Sequence, residues 1–154
     1  MLPFDLARGA QVYARALCDA LDSPEVHHRV LTLYQPEADV LRPEYHLDVP
    51  KRPFRRFGLD PRVFWRLSRA LAELKPDLIV THGGEPLKYA EPVRGDIPLL
   101  HLRIGISAAP PGARTKLLKG LMQRADVVAG VSNECIEEAV ADYGVLPERT
   151  LLLA

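Results

Sequence analysis

The sequence has no surplus of charge in either direction: twenty lysines and arginines meet twenty aspartates and glutamates in 154 residues. A balanced chain sets up no long-range field drawing it to nucleic acid or an anionic membrane. Cysteine is scarce. Cys18 and Cys135 each fall inside an expected helix, with no partner at metal-ligand spacing. That argues against a disulfide scaffold and for a reduced, cytoplasmic protein. No apolar run approaches the ~20 residues that span a bilayer. The first residues carry no basic stretch leading into an apolar core, so no secretory signal is expected. Several chemical motifs are also absent. There is no GxxxxGK[ST], no GxGxxG between a strand and a helix, no HExxH and no paired cysteine motif. A standalone nucleoside triphosphatase, a dinucleotide-binding domain and a zinc hydrolase therefore lack support. His27 and His28 are adjacent, so on a strand they point opposite ways, and no metal site is expected.

What is present fits one domain over residues 1–154, with 47% hydrophobic and 26% charged residues. Fourteen prolines against ten glycines suggest short, stiff connections. Helical spacing begins near Gly9, with Val12, Tyr13, Ala16, Leu17, Ala20 and Leu21 as one apolar stripe. Branched residues make a strand of His28 to Tyr34, and Tyr45 to Val49 reads as a second. Asp60-Pro61 is an N-cap followed by proline at the first helical position. Val63, Phe64, Leu67, Ala70, Leu71 and Leu74 form the apolar face of that helix. Strands follow at Asp77 to His82, Pro98 to Ile104, Asp126 to Val131 and Thr150 to Ala154. Between them come a helix opening at Glu85, a helix faced by Leu117, Leu118, Leu121, Met122 and Ala125, and a helix capped by Ser132-Asn133 and stopped by Gly144. This alternation predicts an α/β fold, a Rossmann-like parallel sheet flanked by helices. Met1 to Ala7, broken by Pro3, does not read as a strand, and no helix follows the last strand. The sequence thus reads as a piece truncated at both ends, or else as a small domain with a rearranged sheet.

Function concentrates in Lys75 to Tyr89, KPDLIVTHGGEPLKY. A buried strand ends at His82, Gly83-Gly84 turn the chain, and a helix starts with proline in its first turn. In open parallel sheets ligands bind at the carboxyl ends of the strands. The plainer reading is an ordinary strand-to-helix turn. The basic run Lys51 to Arg56 reads as a solvated loop. His82-Gly83-Gly84 also suggests the oxyanion loop of an α/β-hydrolase, and Gly130 to Glu134 its nucleophile elbow. That fold places its histidine after the serine, whereas all five histidines here precede Ser132.

Taken together, four segments resemble the N-terminal domain of a family 4 glycosyltransferase of the GT-B type. Arg8 to Leu17 looks like the family's GG-x-E helix opening, and Lys75 to His82 like its "PDvvhaH" strand. Ile97 to Gly105 is similar to its "iPlvvtvHG" strand, and Arg124 to Ser132 to its "aDvvvavS" element. Tyr143 to Thr150 then resembles the lead into the second domain. The resemblance implies the acceptor-binding half of a retaining enzyme that transfers a sugar from a nucleotide-sugar donor without a metal. No cofactor is implied beyond that co-substrate. The partners implied are the donor, an acceptor small molecule or glycan, and a C-terminal donor-binding domain absent here; the intact enzyme would be free to touch a membrane peripherally. Without that domain the piece would be inactive. Gly9 would let backbone approach the donor diphosphate at a helix N-terminus. His82 would line the cleft floor, Gly83 and Gly84 would leave room for a sugar, and Lys88 or Arg103 would meet phosphate charge. Ser132 joins this set by its motif. The bland alternatives are a surface lysine and a solvated arginine. Arg8 stands in place of the family's first glycine, Gln11 of its glutamate and Ile104 of its histidine. His101 points to the opposite face from Ile104 and suits core packing. These departures mark a different acceptor or decayed activity. The competing reading is a non-catalytic α/β ligand-binding or interaction module.

Overall fold

The structure, a computed structural model, describes residues 1–3, 9–21, 23–35, 44–50, 59–106 and 112–153. Helix α1 spans Gly9–Ala20. Strands β1 (Leu31–Tyr34) and β2 (Tyr45–Val49) follow, then α2 (Pro61–Leu74), β3 (Ile79–His82), α3 (Gly84–Val93) and β4 (Leu99–Arg103). The chain continues through α4 (Ala113–Arg124), β5 (Val127–Gly130), α5 (Asn133–Ala141), a 3-10 turn at Pro147–Arg149 and β6 (Thr150–Leu152). Every named pairing is parallel: β1 with β2, and β3–β4–β5–β6 in sequence order. The parallel α/β architecture expected from alternation is the one observed.

One expectation needs qualifying. Residues 1–3 form no named strand, yet they bridge into the sheet. Leu2 bridges Thr32 in parallel, its N–H donates to Leu31 O at 2.9 Å, and Leu33 N–H donates to its carbonyl at 3.1 Å. On its other side His82 N–H donates to Met1 O at 3.1 Å, and the Met1 amine donates to Val80 O. Residues 1–3 thus join the two groups of strands edge to edge. Three residues carry too little periodicity to announce this; only the long-range ladder defines it. Burial in the sheet pushes the Met1 amine down to about 5 from its ordinary 8.0.

Local signals place the helices where they fall. Asp60 caps α2, accepting the Arg62 N–H at 3.0 Å, with Pro61 in the first turn. Val63, Leu67, Ala70 and Leu71 face the core, and the Phe64 ring meets Tyr89 edge-on at 4.9 Å. Ser132 caps α5 through Cys135 N–H at 3.4 Å. Beyond α5 the chain reverses at Gly144, whose φ of 65° suits glycine. The main core lies between the sheet and α2 to α5, and includes Leu31, Leu33, Val49, Leu67, Leu87, Leu99, Met122 and Val128. Helix α1 is the exception. Among its described side chains Gln11 and Ala14 are buried, while Val12, Ala16, Ala20 and Leu21 of the expected stripe are exposed. It packs beside only a small cluster of Leu2, Val30 and Ala14, too narrow to cover the whole stripe.

Candidate functional site

The carboxyl ends of β1, β3, β4 and β5 deliver Tyr34, His82, Arg103 and Gly130 to one edge of the sheet. Register sets them side by side, His82 opposite Leu102 and Arg103 opposite Gly130. His82 is only 5% exposed. Burial, then the neighbouring Met1 amine and His101, hold its imidazole at about 3, far below 6.5. It is therefore a neutral ring, and its Nδ1 has no partner among the described residues. A buried ring nitrogen left over in this way is unusual and is available to one hydrogen bond. His101, by contrast, is spent: its Nδ1 meets Thr81 Oγ1 at 3.0 Å in the core, in keeping with a packing role.

Two glycines turn the chain after His82, for different reasons. Gly83 caps α3 with φ 83°, a backbone that side chains rarely adopt, and the space at its Cβ is open. At Gly84 an added Cβ would sit 3.1 Å from Leu118 Cδ1. That glycine lets α3 approach α4; the space beside it is filled by leucine rather than left for a sugar. Gly130 has a similar duty, since an added Cβ would lie 2.9 Å from Cys135 Cβ and 3.0 Å from Ile136 Cδ1. Gly130→Ala is expected to cost about 1–3 kcal/mol by overpacking, read as a lowered urea midpoint.

Beside His82 runs an ordered chain of hydrogen bonds. Asp60 N–H donates to Tyr89 Oη at 3.1 Å, and Tyr89 and Tyr34 hydroxyls meet at 3.2 Å. Tyr34 Oη donates to Glu85 Oε1 at 2.8 Å, so the shared tyrosine contact is donated by Tyr89. Burial pushes both phenols above their ordinary range; the Tyr89 and Glu85 contacts add to this at Tyr34, whereas the hydrogen bonds to Tyr34 and Asp60 oppose it at Tyr89. Lys88 Nζ closes the group on Glu85 Oε2 at 2.6 Å, and lies 5.8 Å from the centre of the Tyr89 ring. Tyr34, Glu85 and Tyr89 were not singled out from the sequence. The available signal was a tyrosine ending an apolar strand and an acid directly after Gly83-Gly84.

Neither cation expected to meet phosphate lies solvated at the surface. Lys88 is engaged with Glu85. Arg103 turns into the helix layer, where it pairs with Glu138, both side chains being under 8% exposed (6% and 7%). Its guanidinium carbon stacks 4.8 Å from the Tyr143 ring centre, and Nη1 reaches Met122 Sδ at 3.6 Å. Ser132 sits at the adjoining strand end, where its hydroxyl also holds the Glu134 carboxyl below its ordinary range. Gly9 opens α1, which lies against β3. The edge thus gathers His82, Gly83, Lys88 and the Tyr34–Glu85 group, with Ser132 and Gly9 at its flanks and Arg103 beneath it. Among the described residues no three metal-ligating side chains cluster, and no helix is long and apolar enough to cross a membrane.

The sequence profile of Glycosyltransferase Family 4 matches residues 7–152. The chain belongs to Glycosyltransferase Family 4. Among solved structures, it is similar to the UDP-GlcNAc 2-epimerase of Neisseria meningitidis bound to UDP-GlcNAc, with 15% identity and a TM-score of 0.71 over 98% of this chain. The UDP-N-acetylglucosamine 2-epimerase of Rickettsia bellii (18% identity, TM-score 0.70, 97% of this chain) and a glycosyltransferase of Rickettsia africae (13%, 0.64, 98%) share the fold. This family 4 chain spans 45%, 43% and 41% of those three proteins, less than half of each. Comparison with curated proteins gave no match.

Proposed function

We propose that this chain is the acceptor-binding half of a retaining glycosyltransferase that moves a sugar from a nucleotide-sugar donor to an acceptor, and that it has no turnover alone. Family membership supports the reaction class. The observation that carries the reading is His82, a neutral imidazole at a parallel strand end with Nδ1 unspent, directly before an open Gly83. Such a ring offers one hydrogen bond to a sugar hydroxyl without adding charge. The N-terminus of α1 at Gly9 would face the donor diphosphate, and Ser132 would line the neighbouring strand end. Lys88 reaches a phosphate only by leaving Glu85, and Arg103 serves by holding α5 through Glu138 rather than by touching substrate. The Neisseria epimerase binds UDP-GlcNAc in a chain more than twice as long, which is in keeping with a donor site completed by a second domain.

Titration of this chain with UDP-GlcNAc tests the division of labour. Binding weaker than about 1 mM is expected. Micromolar affinity would contradict the placement of donor contacts elsewhere. Fused to a family 4 donor-binding half, the chain is expected to release UDP in the presence of acceptor, and His82→Ala to lower that rate at least about tenfold. A well-folded fusion without turnover would favour the non-catalytic module instead.

A further inference from the structure

Helix α2 and strand β2 meet at a corner whose side chains are exposed yet held in place. Trp65, the chain's single tryptophan, is 64% exposed, more than any other large apolar side chain among the described residues. The Arg69 guanidinium carbon lies 6.0 Å from its ring centre. Arg66 donates to the Leu47 carbonyl of β2. Arg62, paired with Asp60, donates to the Pro50 carbonyl at 3.3 Å. Those two carbonyls flank Asp48. Asp48 is exposed, and its φ of 50° is a left-handed backbone that few residues other than glycine adopt. It falls where the β1–β2 register slips, between Thr32–His46 and Tyr34–Val49. Irregularities of this kind re-aim a side chain. Lys75 shares the positive φ, but it does so as the C-cap of α2. Asp48 ends no helix. Two arginines thus fix the backbone on either side of a strained carboxylate.

We propose that this corner binds a neutral oligosaccharide. Arg62, Arg66 and Arg69 are met by Asp48, Asp60 and Glu73, so the corner holds no net charge to attract a phosphate-rich polymer or an anionic surface. A sugar ring presents an apolar face of C–H groups and a rim of hydroxyls. The C–H face stacks on an indole, which supplies a large, rigid apolar plane. A carboxylate accepts from two neighbouring hydroxyls, and a guanidinium donates to others. Arg62 and Arg66 each spend part of their donor fork on holding position and keep the rest, so little side-chain freedom is lost on binding. Asp60 ties the corner to the strand-end site, since its N–H reaches Tyr89 Oη. Trp65 lies about 7.5 Å of helical rise beyond it. The corner would then hold the part of a long acceptor that lies away from the reacting hydroxyl. That placement rests on the sugar-transfer reading; the binding itself does not.

The single tryptophan makes the test direct. Maltohexaose and chitin hexasaccharide are the probes. At least one is expected to shift Trp65 emission, with half-saturation near about 1 mM. Ligand-observed NMR reads the variants. Trp65→Ala should weaken binding at least about tenfold, and Trp65→Phe, which keeps an aromatic plane, less than about threefold. Asp48→Asn, which keeps the left-handed backbone, should weaken it about threefold. Urea midpoints of these surface variants, expected unchanged, separate lost binding from lost folding. The test needs no turnover, so an inactive fusion and an absent sugar response are separate failures. Emission unaffected by both hexasaccharides would overturn the proposal. So would undiminished binding by Trp65→Ala, a shift produced by phosphatidylglycerol vesicles or polyuridylate and not by sugar, or an emission that changes on dilution alone, which would mark Trp65 as a contact between two copies.

Discussion

Glu138→Ala is expected to lower the unfolding free energy by about 3–5 kcal/mol, a large part of the 5–15 kcal/mol typical of a domain. Arg103 is buried at the end of β4, and Glu138 neutralises it from the middle of α5. Its Nε already lacks a partner among the described residues. Without the carboxylate, the guanidinium keeps the face of Tyr143 and the Met122 sulfur. Neither replaces lost water nor cancels a full charge at low dielectric. The double variant Arg103→Met, Glu138→Leu removes both charges and refills the volume. It should recover to within about 2 kcal/mol of the parent, because desolvation offsets much of what a buried pair contributes. Urea unfolding of the two single variants and the double variant measures the coupling. A loss under about 1 kcal/mol in Glu138→Ala would mean that water reaches Arg103 and that the pair is not buried in solution.

The pair also marks where sequence reading stops. Strands β3, β4 and β5 were legible because each is an apolar run bounded by Pro, Gly or Asp, and α2 because Asp60-Pro61 is a local signal. Ser132 was legible as a cap for the same reason. Those features depend on residues within a few positions of one another. Arg103 and Glu138 lie 35 positions apart, and Tyr34 and Glu85 lie 51 apart. A charged residue after a strand reads as solvated or functional until the opposing helix is placed. The bridging of residues 1–3 was hidden likewise, being specified by partners at Leu31, Leu33 and His82. The error in α1 is different. Its apolar spacing was real, but periodicity does not reveal how much partner surface awaits it. Within the site, His82 and the glycines were found from the strand-end rule. The tyrosine–glutamate chain beside them emerged only in three dimensions.

Acidification should begin to destabilise this chain before its carboxylates titrate. His101 is 1% exposed and His82 5%, and burial holds each at about 3. In the unfolded chain each titrates near 6.5. Between pH 6.5 and 3 the unfolded state therefore binds protons that the folded state refuses. Stability falls as pH drops through that window and levels off below it. The slope is up to about 1.4 kcal/mol per pH unit for each ring, so pH 5 would remove about 2 kcal/mol per histidine relative to pH 6.5. The buried Met1 amine, lowered from 8.0 to about 5, adds a third proton uptake of the same sign at higher pH. Urea midpoints at pH 7.5, 6.5, 5.5 and 5 should decline throughout. His101→Asn and His82→Asn should each flatten the part below pH 6.5 while leaving the part above it unchanged. The two should differ in neutral solution. His101→Asn disturbs the Thr81 contact and lowers stability there, whereas His82→Asn, replacing a ring with an unspent nitrogen, should cost less. A flat profile between pH 6.5 and 5 would mean that His82 accepts a proton in the folded state. The ring would then carry charge to a bound sugar or phosphate, and its assignment as a neutral hydrogen-bonding group would fall.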